Sequence, residues 1–162
     1  MDVRFETKHG NKAGKHEWLT PKKIIDDLGP FDLDPCYSEP RPWDTAANYF
    51  TEDDNGLEQK WNGFVWCNPP YGEFTEKWLE KLADYKNCLA LIFARTETKM
   101  FRKYIWEQAT AVFFFYGRIS FYNSDGTKGS MSAGAPSCLV AWNNEGIERL
   151  KRLTNGKLVF LK

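Results

Sequence analysis

Gly63-Phe64-Val65-Trp66-Cys67-Asn68-Pro69-Pro70-Tyr71-Gly72 is the stretch that decides how this chain folds. Its first five residues form a compact apolar run bounded by turn formers, which fits a buried strand of a parallel sheet. Two consecutive prolines follow almost at once. Neither can donate a ladder hydrogen bond, so the strand has to end where they begin. They also stiffen the backbone at the strand's carboxyl end, the edge at which open α/β sheets bind ligands. Asn68 and Tyr71 are therefore expected at such an edge, on a rigid support.

On the carboxyl side, the spacing predicts a helix from about Phe74 to Tyr85, with Phe74, Trp78, Leu79 and Leu82 on one face. Leu89 to Ala94 and Ala111 to Tyr116 read as buried strands, with a helix from Thr98 to Gln108 between them. Ile119 to Tyr122 is expected to extend the sheet, and Ser124 to Pro136 is a Gly/Ser-rich loop. Ser137 to Trp142 reads as a strand, Glu145 to Leu153 as a helix and Leu158 to Leu161 as a last strand. On the amino side, Thr20-Pro21 looks like a helix start with Thr20 as N-cap. The helix carries Ile24, Ile25 and Leu28 on one face and ends at Gly29-Pro30. Phe31-Asp32-Leu33-Asp34 is a short alternating strand. Residues 36–62 form a long, turn-rich excursion with a short strand near Tyr49-Phe50, and loops this long tend to be functional. Strands alternating with helices imply an α/β fold, mostly parallel, with helices on both faces and an antiparallel hairpin at one edge.

A chain of 162 residues suits one hydrophobic core. Residues 1–16 are polar and basic and are expected to be a flexible arm; residues 17–162 are expected to form a single domain. No apolar run approaches the roughly 20 residues of a membrane span. The first residues have no apolar signal-peptide core, so the expectation is a cytoplasmic protein. Formal net charge is zero, so binding to nucleic acid would need a local basic face. The four cysteines have no CxxC spacing and read as reduced, buried thiols. His9 and His16 have no partner at metal spacing, so no metal is expected. Aromatic residues make up 16%; they serve either as core or as stacking platforms for bases.

Asn68-Pro69-Pro70-Tyr71 fits one chemistry well: methylation of an exocyclic amine. The lone pair of such an amine is delocalised into its ring, which makes it a poor nucleophile. The Asn68 carboxamide oxygen and the Pro69 carbonyl can accept its two N–H hydrogens and free that pair. Tyr71 can stack on a base taken out of the duplex. A sulfonium methyl donor brings its own leaving group, so the protein's work is positioning and electrostatics. The tetrapeptide leaves the acceptor open among DNA, RNA and a protein amide.

Further pieces occur in order: Trp18-Leu19-Thr20-Pro21, Phe31-Asp32-Leu33-Asp34-Pro35-Cys36, Asn55-Gly56-Leu57 with Trp61, Asn68-Pro69-Pro70-Tyr71-Gly72, Arg95-Thr96-Glu97-Thr98, Gly117-Arg118-Ile119-Ser120-Phe121 and Ala135-Pro136-Ser137. Together they resemble the phage-type DNA N6-adenine methyltransferases, a small Dam-like family. The resemblance implies a Rossmann-like methyltransferase fold that uses S-adenosylmethionine and acts on double-stranded DNA in a bacterial host, with no metal. It implies catalytic roles for Asn68, Pro69, Pro70 and Tyr71. It implies cofactor contacts from Trp18, Thr20, Pro21, Asp34, Pro35, Cys36 and Asn68, and from Asp54 (or its neighbour Asp53) toward the cofactor adenine. A catalytically inactive DNA-binding relative is the alternative from another class. Arg95 and Arg118 each stand just past a strand, and Lys99 opens a basic helix with Arg102 and Lys103. With Tyr71, residues Arg95, Lys99 and Arg118 are the DNA-contact candidates; the bland reading of the lysines is a solvated helix face.

Overall fold

A computed structural model describes residues 19–129 and 134–162. The expected N-terminal arm and Trp18 lie outside the described residues. The elements in chain order are α1 (Lys22–Leu28), β1 (Leu33–Asp34), β2 (Asn48–Tyr49), β3 (Val65–Cys67), α2 (Thr75–Tyr85), β4 (Cys88–Phe93), α3 (Lys99–Phe101), β5 (Ala111–Phe115), β6 (Ser137–Ala141), α4 (Asn144–Leu150) and β7 (Gly156–Phe160). A π-helical turn over Arg102–Trp106 continues α3. A single 3₁₀ turn, Glu52–Asp54, lies in the excursion between β2 and β3.

Among the described residues, seven strands form one sheet in the order β2-β1-β3-β4-β6-β5-β7. Pairing is parallel from β2 through β4 and antiparallel from β4 through β7. The antiparallel ladders are the longer ones, so the expected mostly parallel sheet is corrected to a mixed sheet that is mostly antiparallel in its pairing. The reason is the position of β6. It follows β5 with no helix among the described residues of the connection, as suits an antiparallel neighbour, and it inserts between β4 and β5. Through these pairings β5 still points the same way as β1 to β4. The antiparallel partner that follows β5 in the chain is β6, and it lies inside the sheet, not in the expected edge hairpin. Every residue of β6 is buried, which an edge strand could not provide. The edge falls to β7, half-exposed and carrying Lys157. Ile119–Tyr122 is not a strand; only Tyr122 makes isolated bridges, to Leu19 and Lys128.

Period-two alternation sends the strand side chains into two cores. Cys88, Ala90 and Ile92 of β4 face one layer with Leu79 and Leu82 of α2 and Phe101 and Ile105 of the helix after β4. Leu89 and Leu91 face the other, with Ile24 and Leu28 of α1 and Ile147 and Leu150 of α4. The four cysteines are buried thiols, and burial pushes the Cys88 and Cys138 thiols far up, so those two are inert packing groups.

Arg149 of α4 joins the second layer together. It is buried, donates to the Leu28 and Pro30 carbonyls, and lies 4.1 Å from the Phe64 ring centroid and 5.3 Å from that of Phe31. This ties the end of α1 to the entry of β1. Arg149→Met would leave those carbonyls without this donor. It should lower the unfolding free energy by about 2–4 kcal/mol, read as an earlier urea midpoint at unchanged slope. A wild-type midpoint would show that the guanidinium is not a clamp.

Candidate functional site

The connection of β1 locates the site. The chain leaves β1 for β2 on one side, then returns to pair β3 on the other. That reversal makes the carboxyl ends of β1 and β3 a topological switch point, the place where open α/β sheets hold ligands in a crevice. Asp34 ends β1 and Asn68 follows β3, so both stand at this switch point.

Asn68 is only 8% exposed. Its Nδ2 donates to Thr20 Oγ1 at 3.4 Å, which turns Oδ1 away from Thr20. Neither that Oδ1 nor the adjoining Pro69 carbonyl accepts a hydrogen bond from a described residue. The next carbonyl is different: Pro70 O accepts the Thr75 hydroxyl at 2.7 Å, and Thr75 Oγ1 in turn accepts the Gly72 N–H at 2.9 Å. A buried threonine at the start of α2 thus locks the turn and leaves two acceptors, Asn68 Oδ1 and Pro69 O, on consecutive residues.

Thr20 has a different task from the one its sequence context suggests. Helix α1 begins after Pro21 with no side-chain cap, and the Thr20 hydroxyl serves Asn68 instead. Leu19 holds it in place by pairing with Tyr122, N–H to carbonyl in both directions at 2.7 and 3.0 Å. The segment after Gly117-Arg118 therefore braces the asparagine from above.

Tyr71 is half-buried. Its ring lies 4.4 Å from that of Phe93, and its hydroxyl accepts the Phe93 N–H. Burial pushes the phenol far above its usual range, and the nearby Arg95 charge offsets this only partly. Tyr71 stays a neutral ring, with Phe93 against it.

The carboxylates expected at the crevice are largely engaged in their own turns. Asp34 is 2% exposed; Oδ1 accepts the Cys36 N–H at 2.9 Å and Oδ2 the Thr45 hydroxyl at 2.5 Å. It shapes the Pro35-Cys36 loop. Asp54 closes a capping box with Thr51, accepting its N–H at 2.8 Å and its hydroxyl at 3.0 Å. Asp53 and Glu52 on the same turn are exposed. The two loops touch at Gly56, where a Cβ would stand 1.9 Å from the Pro35 carbonyl oxygen.

Thr20, Pro21, Asp34, Pro35, Cys36, Asn68, Pro69, Pro70 and Tyr71 thus gather at the carboxyl edge, with Asp54 on the loop beside it. Arg95 and Lys99 follow β4 and Arg118 follows β5; all three are exposed on segments past the carboxyl ends of their strands. Thr75, Thr45 and Phe93 belong to the site although no motif pointed to them. For Thr75 a signal existed, a threonine opening a helix just past a turn. Among the described residues there is no cluster of three His, Cys, Asp or Glu side chains placed to hold a metal, and no helix long and apolar enough to cross a membrane.

Among known families, the family model described as DNA N-6-adenine-methyltransferase (Dam) matches residues 7–155. Searches of curated proteins and of solved structures find no match.

Gly56→Ala should force the two loops apart and lower stability by about 1–3 kcal/mol, measured by urea denaturation. Unchanged stability would mean that the loops are not in tight contact.

Proposed function

Because this chain belongs to the DNA N-6-adenine-methyltransferase (Dam) family, we propose that it transfers the methyl group of S-adenosylmethionine to the N6 amine of adenine in double-stranded DNA. The observation that carries this reading is the pair of acceptors at the carboxyl end of β3, Asn68 Oδ1 and Pro69 O, that no described residue engages. An exocyclic amine has two N–H donors, and these two oxygens match them. Accepting both hydrogens draws the nitrogen toward tetrahedral geometry and exposes its lone pair. The bound cofactor supplies an electrophilic methyl on a sulfonium with a neutral leaving group. The chain's own contribution is to fix the amine before the reaction, so that little reorganisation remains in the transition state. Thr20 selects the carboxamide orientation and Thr75 holds the Pro70 carbonyl back from the site.

The crevice suits the cofactor on its donor chemistry. The tight approach of Gly56 to Pro35 brings the two loops into one wall, with Thr20, Pro21, Cys36 and Asp34 on one side. The exposed acidic turn of Asp53 and Asp54 fits an adenine amine. The insertion of β6 beside β4 is compatible with a Rossmann-like methyltransferase fold, residues 17–162 being its one domain. A base leaving the duplex would meet Tyr71, already propped on Phe93. Arg95, Lys99 and Arg118 would take phosphates, making binding salt-sensitive. The motif set favours a phage or prophage origin and action in the bacterial cytoplasm.

The direct test is transfer of tritiated methyl from S-adenosylmethionine to unmethylated duplex DNA, followed by nucleoside digestion. Label is expected in N6-methyladenine; label confined to RNA or protein would overturn the assignment. Asn68→Ala should abolish turnover and largely spare cofactor affinity, because it acts on the acceptor. Thr20→Val keeps the shape and loses the hydroxyl; kcat should fall roughly 10- to 100-fold, the worth of about 1.4–2.7 kcal/mol. A Thr20→Val enzyme with wild-type kcat would show that Asn68 needs no orienting partner.

A further inference from the structure

Lys81 sits mid-way along α2, where a lysine is ordinarily a solvated helix charge. Here its ammonium is partly buried and turned back on the chain. Nζ donates to the carbonyls of Gln59 at 2.6 Å and Leu57 at 2.7 Å, with Gly56 at 3.5 Å, and stands 4.7 Å from the Trp61 ring centroid. Burial lowers its pKa, so keeping the ammonium here has a cost that its acceptors must offset. Trp61 completes the fastening. Its Nε1–H donates to Gly56 O at 2.8 Å, and its ring stacks on Trp78 of α2 at 6.3 Å. The loop so held continues directly from the acidic turn 52–54 and presses Gly56 onto Pro35. Helix α2 starts at Thr75, one short turn after Asn68-Pro69-Pro70-Tyr71.

We propose that Lys81 is a positioning residue for the cofactor wall, setting the acidic loop at a fixed distance from the catalytic turn that α2 continues. This rests on the reading that S-adenosylmethionine occupies the crevice. Lys81 touches no reacting atom. Its three rotatable donors collect carbonyls from one loop, and without them the loop loses its hydrogen bonds to the α2 lysine. Removing the ammonium therefore weakens cofactor binding more than it slows the chemical step. An arginine, longer and planar but equally rich in donors, restores part of the loss.

The test uses the full chain and S-adenosylmethionine as the probe. Calorimetry is expected to show Lys81→Met weakening cofactor binding about tenfold, with kcat at saturating cofactor within about twofold of wild type, and Lys81→Arg in between. In the wild-type protein, cofactor should also slow hydrogen exchange at the Asp54, Asn55 and Glu58 amides, which close the turns of this loop. The exchange measurement stands even if Lys81→Met does not fold. Wild-type affinity in folded Lys81→Met would overturn the proposal, as would cofactor binding that leaves those amides unprotected. A wild-type chain that binds no cofactor would overturn the underlying reading, and this inference with it.

Discussion

Pro69 and Pro70 have no N–H to offer, so β3, which ends at Cys67, cannot carry its ladder past Asn68. The backbone must leave the sheet at that point, and it does so as a turn whose carbonyls are not consumed by strand pairing. Thr75 takes one of them, Pro70 O, and pins the turn to the start of α2. The Pro69 oxygen stays available beside Asn68. A more ordinary strand end would have spent this carbonyl on a neighbour, leaving no second acceptor for the two hydrogens of an amine.

Around that turn, the fold supplies fixed walls rather than additional chemistry. β1 and β3 set the floor of the crevice, the Leu19–Tyr122 pairing sets Thr20 over Asn68, and Phe93 backs Tyr71. Carboxylates that a motif would assign to ligand binding first satisfy their own loops. Asp34 caps the Pro35-Cys36 turn and Asp54 closes a box with Thr51. Both roles serve pre-organisation, since a loop already hydrogen-bonded in the free protein loses less entropy when a ligand arrives.

The parts legible in the sequence were those whose signal is local. The apolar runs of β3, β4 and β6 and the helical stripe of α2 read correctly because period and bounding turns act over a few residues. So did the placement of Asn68 at a strand end. Sheet order did not, because the slot between β4 and β5 is filled by β6 only once both neighbours exist. Thr20 shows a different limit: Thr-Pro before an apolar stripe is a sound cap signal, yet a partner 48 positions away claims the hydroxyl. Lys81 left no trace at all. Its acceptors are backbone carbonyls 22 to 25 residues upstream, and backbone carries no sequence signature. The π-turn after α3 was likewise invisible, since it begins as an ordinary amphipathic helix.

The central claim is that the turn after β3 methylates adenine in duplex DNA. It is tested most directly by methylation-sensitive sequencing of plasmid from cells that lack adenine methylation of their own and express this protein. The account predicts N6-methyladenine at a recurring short sequence, absent when Asn68 is replaced by alanine. Unmethylated plasmid in the presence of folded, cofactor-binding wild-type protein would contradict it.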